Sequence, residues 1–170
     1  MKKIILLQPS LRKNSLTDAI LREFQDMLVK SGDFEVEIID LREKTLEFCD
    51  GRELGEYHDD IQEIYQKLKA SKIVILGFPV YHYAISGVLK NFLDICGEAL
   101  TEKKVGVIVS ALLPECQIAY EHFFESFEKK YSIKPIQEVP YILNSYFQIQ
   151  NGKLGLLGKG QLQKFVKNLL

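Results

Sequence analysis

Within six positions, Ser10-Leu11-Arg12-Lys13-Asn14-Ser15 brings together two hydroxyls, an amide and a guanidinium, just before Leu16 opens a stretch of helical period. Hydrogen-bond donors, a planar charged fork and the positive end of a helix are what a phosphate group needs. A plainer reading has Asn14 or Ser15 capping the helix while Arg12 and Lys13 stay solvated. On the residues alone the two readings weigh about equally. Further along, Pro79-Val80-Tyr81-His82-Tyr83 follows an apolar run with two tyrosines and a histidine. Such a group can wall a flat aromatic ligand while backbone N–H groups reach its polar edge. The alternative is that both tyrosines are half-buried packing residues.

Other chemistry finds no support. The loop at 8–16 has no glycine, so it is not the Gly-rich turn of a dinucleotide site. The cluster Gly155–Gly160 lacks the Ser or Thr that closes a phosphate loop and reads as an ordinary turn. No Gly-x-Ser-x-Gly elbow offers a nucleophile. His58, His82, His122, Cys49, Cys96 and Cys116 lie scattered without zinc-ligand spacing. His58 reads as a helix-entry residue and His122 as solvated. Cys96 and Cys116 read as small buried apolar residues.

The elements that must position these residues alternate. Strands are predicted at Lys3–Gln8, buried on both faces, and at Phe34–Ile39, a half-exposed edge. Others follow at Lys72–Phe78, Val105–Val109 and Ile136–Leu143, the last interrupted by Pro140. Helical spacing places Leu16, Ile20, Leu21, Phe24 and Leu28 on one helix that Gly32 stops. Ile61, Ile64, Tyr65 and Leu68 mark a second helix, with Asp59 and Asp60 at its positive N-terminus. Val88 to Cys96, Ile118 to Phe127 and Leu162 to Leu169 mark three more. Strict alternation predicts right-handed crossovers and a doubly wound α/β sandwich of three layers. Ligands of such folds sit beyond the carboxyl ends of the strands, where strand order reverses. The loops after the first, third and fourth strands are therefore the ones that matter.

Composition narrows the class. The chain has 170 residues, 22 basic and 23 acidic side chains and a net charge of −1, which removes the electrostatic case for nucleic-acid binding. Its apolar runs fall short of the ~20 residues a membrane span requires. Three widely spaced cysteines suggest a reducing compartment. The expectation is one cytoplasmic domain over residues 1–170.

Two motifs carry a resemblance. Ser10-Leu11-Arg12 with Ser15, and Pro79-Val80-Tyr81 followed by Ser86-Gly87-Val88-Leu89-Lys90-Asn91-Phe92-Leu93-Asp94, resemble the NADPH-dependent FMN reductase family. The similarity runs from about Lys3 to Val109, with an echo near Phe147–Leu154. It implies a flavodoxin-like fold with a five-stranded parallel sheet of order 2-1-3-4-5. It also implies bound FMN, with NADH or NADPH as co-substrate and hydride transfer through the flavin to a small acceptor such as a flavin or quinone. Residue by residue, it gives Ser10, Arg12, Asn14, Ser15 and Leu16 to the FMN phosphate. Pro79, Val80, Tyr81, His82 and Tyr83 would line the flavin ring, with Ser110 from the loop after the fourth strand. Lys90, Asn91 and Asp94 are read as structural. Homodimers or homotetramers are common among such proteins.

The chain departs from the pattern at three places. Gln8-Pro9 stands where the family usually has a glycine before the serine, and His82 where asparagine is common. The loop Ser110–Glu115 is glycine-free where its counterpart is usually glycine-rich, so it is bulkier and stiffer. That loop motivates a second expectation, a flavin-binding or interaction protein without reductase turnover. An electron carrier akin to flavodoxin ranks last, because the chain is not acidic enough. Relatives with an iron–sulfur insert resemble the stretch 59–94, but Cys49 stands alone there, which excludes a four-cysteine cluster.

Overall fold

A computed structural model describes residues 1–58, 60–144, 147–148 and 153–169. The elements run β1 (Lys2–Gln8), α1 (Leu16–Ser31), β2 (Phe34–Asp40), α2 (Ile61–Ala70), β3 (Ile73–Tyr81) and β4 (Ala84–Ile85). They continue with α3 (Gly87–Cys96), β5 (Lys104–Ala111), α4 (Ile118–Tyr131), β6 (Lys134–Pro135), β7 (Tyr141–Leu143), β8 (Phe147–Gln148), β9 (Lys153–Leu154) and α5 (Leu156–Lys167). The main path of the sheet is β2-β1-β3-β5-β6, parallel throughout. Its order is the 2-1-3-4-5 of a flavodoxin-like fold.

The alternation of β1 explains the three layers. Ile5 and Leu7 face a core shared with Ile61 and Ile64 of α2, Leu89 and Phe92 of α3, and Phe123 of α4. Ile4 and Leu6 face the opposite core, with Ile20 and Phe24 of α1 and Phe165 of α5. A strand whose odd and even residues are both apolar has to be covered on both faces. Gly77 of β3 lets α1 close onto the sheet, because a Cβ there would sit 2.7 Å from Thr17 Cγ2 and 3.0 Å from the Leu7 carbonyl oxygen.

Several expectations are corrected. Among the described residues the sheet has seven strands rather than five. The fifth position is split into β6 and β7, both paired with β5, because the chain between them carries Glu138 at positive φ and then Pro140, which cannot donate to a ladder. The other extra strand is β4, which folds back antiparallel on the end of β3. Consequently β3 runs on through Pro79 and Val80 to Tyr81, and residues 79–83 form a tight hairpin rather than an open loop. The glycines from 155 to 160 are not a turn: Gly158 and Gly160 lie inside α5, which begins at Leu156. Gly158 is packed directly on the Leu154 side chain, a contact that leaves no room for a Cβ. Asp59 and residues 149–152, part of the echo near Phe147–Leu154, lie outside the described residues.

Candidate functional site

The cavity at the carboxyl ends of β1, β3 and β5 has a volume of about 380 Å³. The β1–α1 connection supplies one wall through Ser10, Arg12, Asn14, Ser15 and Leu16, and the β3–β4 hairpin supplies another through residues 79–83. Ser110, at the end of β5, closes the floor. The fold thus brings all eleven residues singled out from the sequence to one place. Sequence reasoning missed Thr17, Ala111, Cys116 and Asn144 in the same wall, and treated Leu112 and Leu113 only as a departure. Thr17 could have been found, since it lies in the first turn of the helix that Ser15 begins. Asn144 could not, because nothing in its neighbourhood points back to β1.

Ser15 caps α1, its Oγ accepting the Asp18 N–H at 3.1 Å. The first-turn N–H groups of α1, which no helical carbonyl reaches, are therefore at the cavity wall with Leu16 and Thr17. Ser10 is 3% exposed, and its hydroxyl makes no hydrogen bond among the described residues, so it is left free at the wall. The Thr17 and Ser110 hydroxyls share a 2.7 Å hydrogen bond that ties α1 to β5 beneath the cavity.

Gln8, the first residue of the Gln8-Pro9 departure, holds the loop together. Its buried amide donates to the Ser10 carbonyl and to Asp40 Oδ1, both at 3.0 Å, and its Oε1 accepts the Ser10 N–H at 2.6 Å. Asp40 in turn carries the Arg42 guanidinium, which also pairs with Asp18 at 2.9 Å and donates to the Arg12 carbonyl. Burial works to raise the Asp40 carboxyl, but Arg42 outweighs it and holds the group below its ordinary range. A side-chain brace therefore shapes a loop that glycine commonly shapes by backbone freedom.

Two loops meet at Arg12, whose guanidinium lies over the Tyr81 ring, 5.1 Å from its centroid. The hairpin turn places His82 at φ 49° and Tyr83 at φ 60°, the left-handed conformation that a two-residue turn between β3 and β4 demands at both central positions. On the far wall, Leu112 is 70% exposed, and the Leu113 carbonyl accepts the Tyr141 hydroxyl at 2.6 Å. Burial first, and the adjacent Cys116, push that phenol up, so it stays protonated and keeps the loop tethered.

The motif after the hairpin is structural. Ser86 caps α3 through the Leu89 N–H, and Leu89, Phe92 and Leu93 are buried. Asn91 accepts the Cys49 N–H at 2.8 Å and donates to the Glu47 carbonyl at 2.9 Å, pinning the β2–α2 connection. Lys90 pairs with Asp94 on the exposed face of the helix.

A doubly wound flavodoxin-like sandwich sets helix-start donors and a tyrosine hairpin opposite each other over the strand ends, groups whose chemistry suits a phosphate and an aromatic ring. Residues 2–139 match the family described as NADPH-dependent FMN reductase, and the chain belongs to that family. An NAD(P)H-dependent FAD/FMN reductase of Geobacillus thermodenitrificans is 30% identical over 77 residues, 45% of this chain and 42% of that protein. An FMN-dependent NADPH-azoreductase of Staphylococcus aureus is 37% identical over 98 residues, 55% of this chain and 51% of that one. The match thus spans about half the length of these curated relatives. The fold is also that of an NADH:FMN oxidoreductase solved in its apo form, with a TM-score of 0.79 at 16% identity over 99% of this chain and 89% of that one.

Proposed function

We propose that this chain is an FMN-dependent NAD(P)H oxidoreductase, acting in the cytoplasm as a homodimer or homotetramer and passing reducing equivalents to a small acceptor such as a flavin or quinone. The observation that carries the reading is the convergence of the α1 start and the Pro79–Tyr83 hairpin on one cavity. FMN, when bound, supplies the hydride and electron chemistry. The residues supply binding and orientation. Ser10 Oγ, the Asn14 amide, the Arg12 guanidinium and the first-turn N–H groups are the phosphate donors. The hairpin backbone and Tyr81 hold the ring edge. The apolar side chains of Leu112 and Leu113 give the cavity its far wall. No side chain has to act as an acid or base in this scheme.

A second reading, flavin binding without turnover, is favoured by one observation: the bulky, glycine-free pair Leu112-Leu113 takes up part of the cavity wall. Both are tested by adding FMN to the purified protein, removing the excess and recording the visible spectrum before and after anaerobic NADPH or NADH. Retained flavin absorbance that bleaches with either nucleotide, followed by reoxidation with a quinone, is the expected result. Retained flavin that neither nucleotide bleaches selects the second reading. No retained flavin would sink both.

A further inference from the structure

At the end of the sheet opposite the cavity, the strands begin on lysines. Lys2 opens β1, Lys72 precedes β3, Lys104 opens β5 and Lys134 opens β6. Together with Lys103 they line a second cavity of about 500 Å³, whose wall also includes Ser71, Thr101 and Glu102. Some lysines elsewhere pair with carboxylates, Lys3 and Lys67 on Glu37, Lys44 on Asp60, Lys90 on Asp94 and Lys159 on Glu23, while others such as Lys13 and Lys30 stand singly rather than gathered in one cleft. Among the described residues, none of the five lysines of this cleft has a carboxylate within 4.0 Å, Glu102 included.

The arrangement stacks like charges. Lys104 and Lys134 are direct partners across the parallel β5–β6 ladder, where equal charges repel. Lys103 is half-buried, and its Nζ meets only the carbonyls of Lys69 at 3.0 Å and Ser71 at 2.6 Å. Burial, and then the charge of Lys69, push that ammonium down. The ladder fixes the backbone positions from which these flexible stems rise, so the ammonium groups share one end of the sheet.

We propose that this lysine cleft binds a small, multiply charged anion of the polyphosphate class, at a site separate from the cavity at the other end of the strands. Ammonium groups bind phosphate as compact point charges, and several are needed to match adjacent phosphates. A cleft of this size falls within the ~300–1,000 Å³ typical of small-molecule sites. A nucleic-acid backbone fits less well, because the chain balances 22 basic against 23 acidic residues.

The test is isothermal titration calorimetry of the full chain with tripolyphosphate, against sulfate at equal ionic strength, with amide chemical shifts followed by NMR. Saturable binding is expected, with shifts centred on Thr101–Lys104 and Lys134. The Lys104→Gln/Lys134→Gln variant should bind about tenfold more weakly or worse, the scale of a lost charged hydrogen bond. The titrations are run with saturating FMN, so that the phosphate donors of the other cavity are occupied, and Arg12→Ala should then bind tripolyphosphate as the parent does. Absence of saturable binding, or undiminished binding in the double variant, overturns the proposal. So does loss of binding in Arg12→Ala, which would move the anion to the first cavity. Tighter binding of polyglutamate or single-stranded RNA than of tripolyphosphate also overturns it, in favour of a macromolecular partner. Shift mapping on the parent decides the location even if the double variant does not fold.

Discussion

Arg12 is exposed and rests on Tyr81, so little of the fold depends on it. Arg12→Ala should weaken FMN binding about tenfold or more, the size of a lost charged hydrogen bond, with a melting temperature close to the parent's. Flavin fluorescence titration measures this, and equal affinity would remove Arg12 from the phosphate site. Gln8 is the opposite case: Gln8→Ala strands the Ser10 N–H and carbonyl, while Asp40 keeps Arg42, and should cost about 1–3 kcal/mol in urea unfolding. Asp40 adds a pH signature. Its carboxyl is held below the unfolded value, so its stabilisation is present above about pH 4 and fades as pH falls through the folded value. The stability gap between the parent and Asp40→Asn should therefore narrow on acidification below about pH 4; a gap that widens there would contradict the Arg42 brace. The sequence displayed Gln8 only as a departure, because its partner Asp40 lies 32 residues away and no local pattern links the two. Arg12 and Ser15 were legible because a helix start announces itself within a few residues.

At the scale of elements, the β3–β4 hairpin carries an identifiable strain. A tyrosine at φ 60° costs about 1–2 kcal/mol relative to ordinary backbone, while glycine there loses roughly 0.5–1 kcal/mol in chain entropy. Tyr83→Gly should then raise stability by several tenths of a kcal/mol or more while weakening flavin binding, opposite signs that denaturation and titration read separately. Gly77→Ala should do the reverse to the sheet, destabilising by about 1–3 kcal/mol as overpacking against Thr17 and Leu21 demands. The strands and helices were legible where periodicity was strong, as in β1, α1 and α3. The end of β3 was not, because Pro79 reads as a stop although a proline at a strand's end is tolerated. The start of α5 was hidden by glycines whose purpose, contact with Leu154, is invisible without the neighbouring hairpin.

At the scale of the molecule, both cores lean on the same central strands, with Ile4 and Leu6 in one and Ile5 and Leu7 in the other. We therefore expect one cooperative unfolding transition, with far-ultraviolet and tyrosine near-ultraviolet circular dichroism curves that coincide; separated curves would argue against a single domain over 1–170. The order of the strands was legible because alternation and handedness leave few topologies. The breaking of the last sheet position into two pieces was foreshadowed only by Pro140. That break has a bearing on how copies of the chain can meet. One border of the sheet is β2, where Glu35 is exposed and Glu37 is salt-bridged to Lys3 and Lys67. The other is a pair of two- and three-residue fragments with a proline between them. Of the two, only β2 is a continuous run, and its glutamates place carboxylates along the edge where a foreign strand would have to pair. The fragmented border gives an incoming strand almost nothing to extend, so any growth of the sheet from copy to copy would stop there, and repeated strand addition of the kind that builds fibrils has only one edge to use.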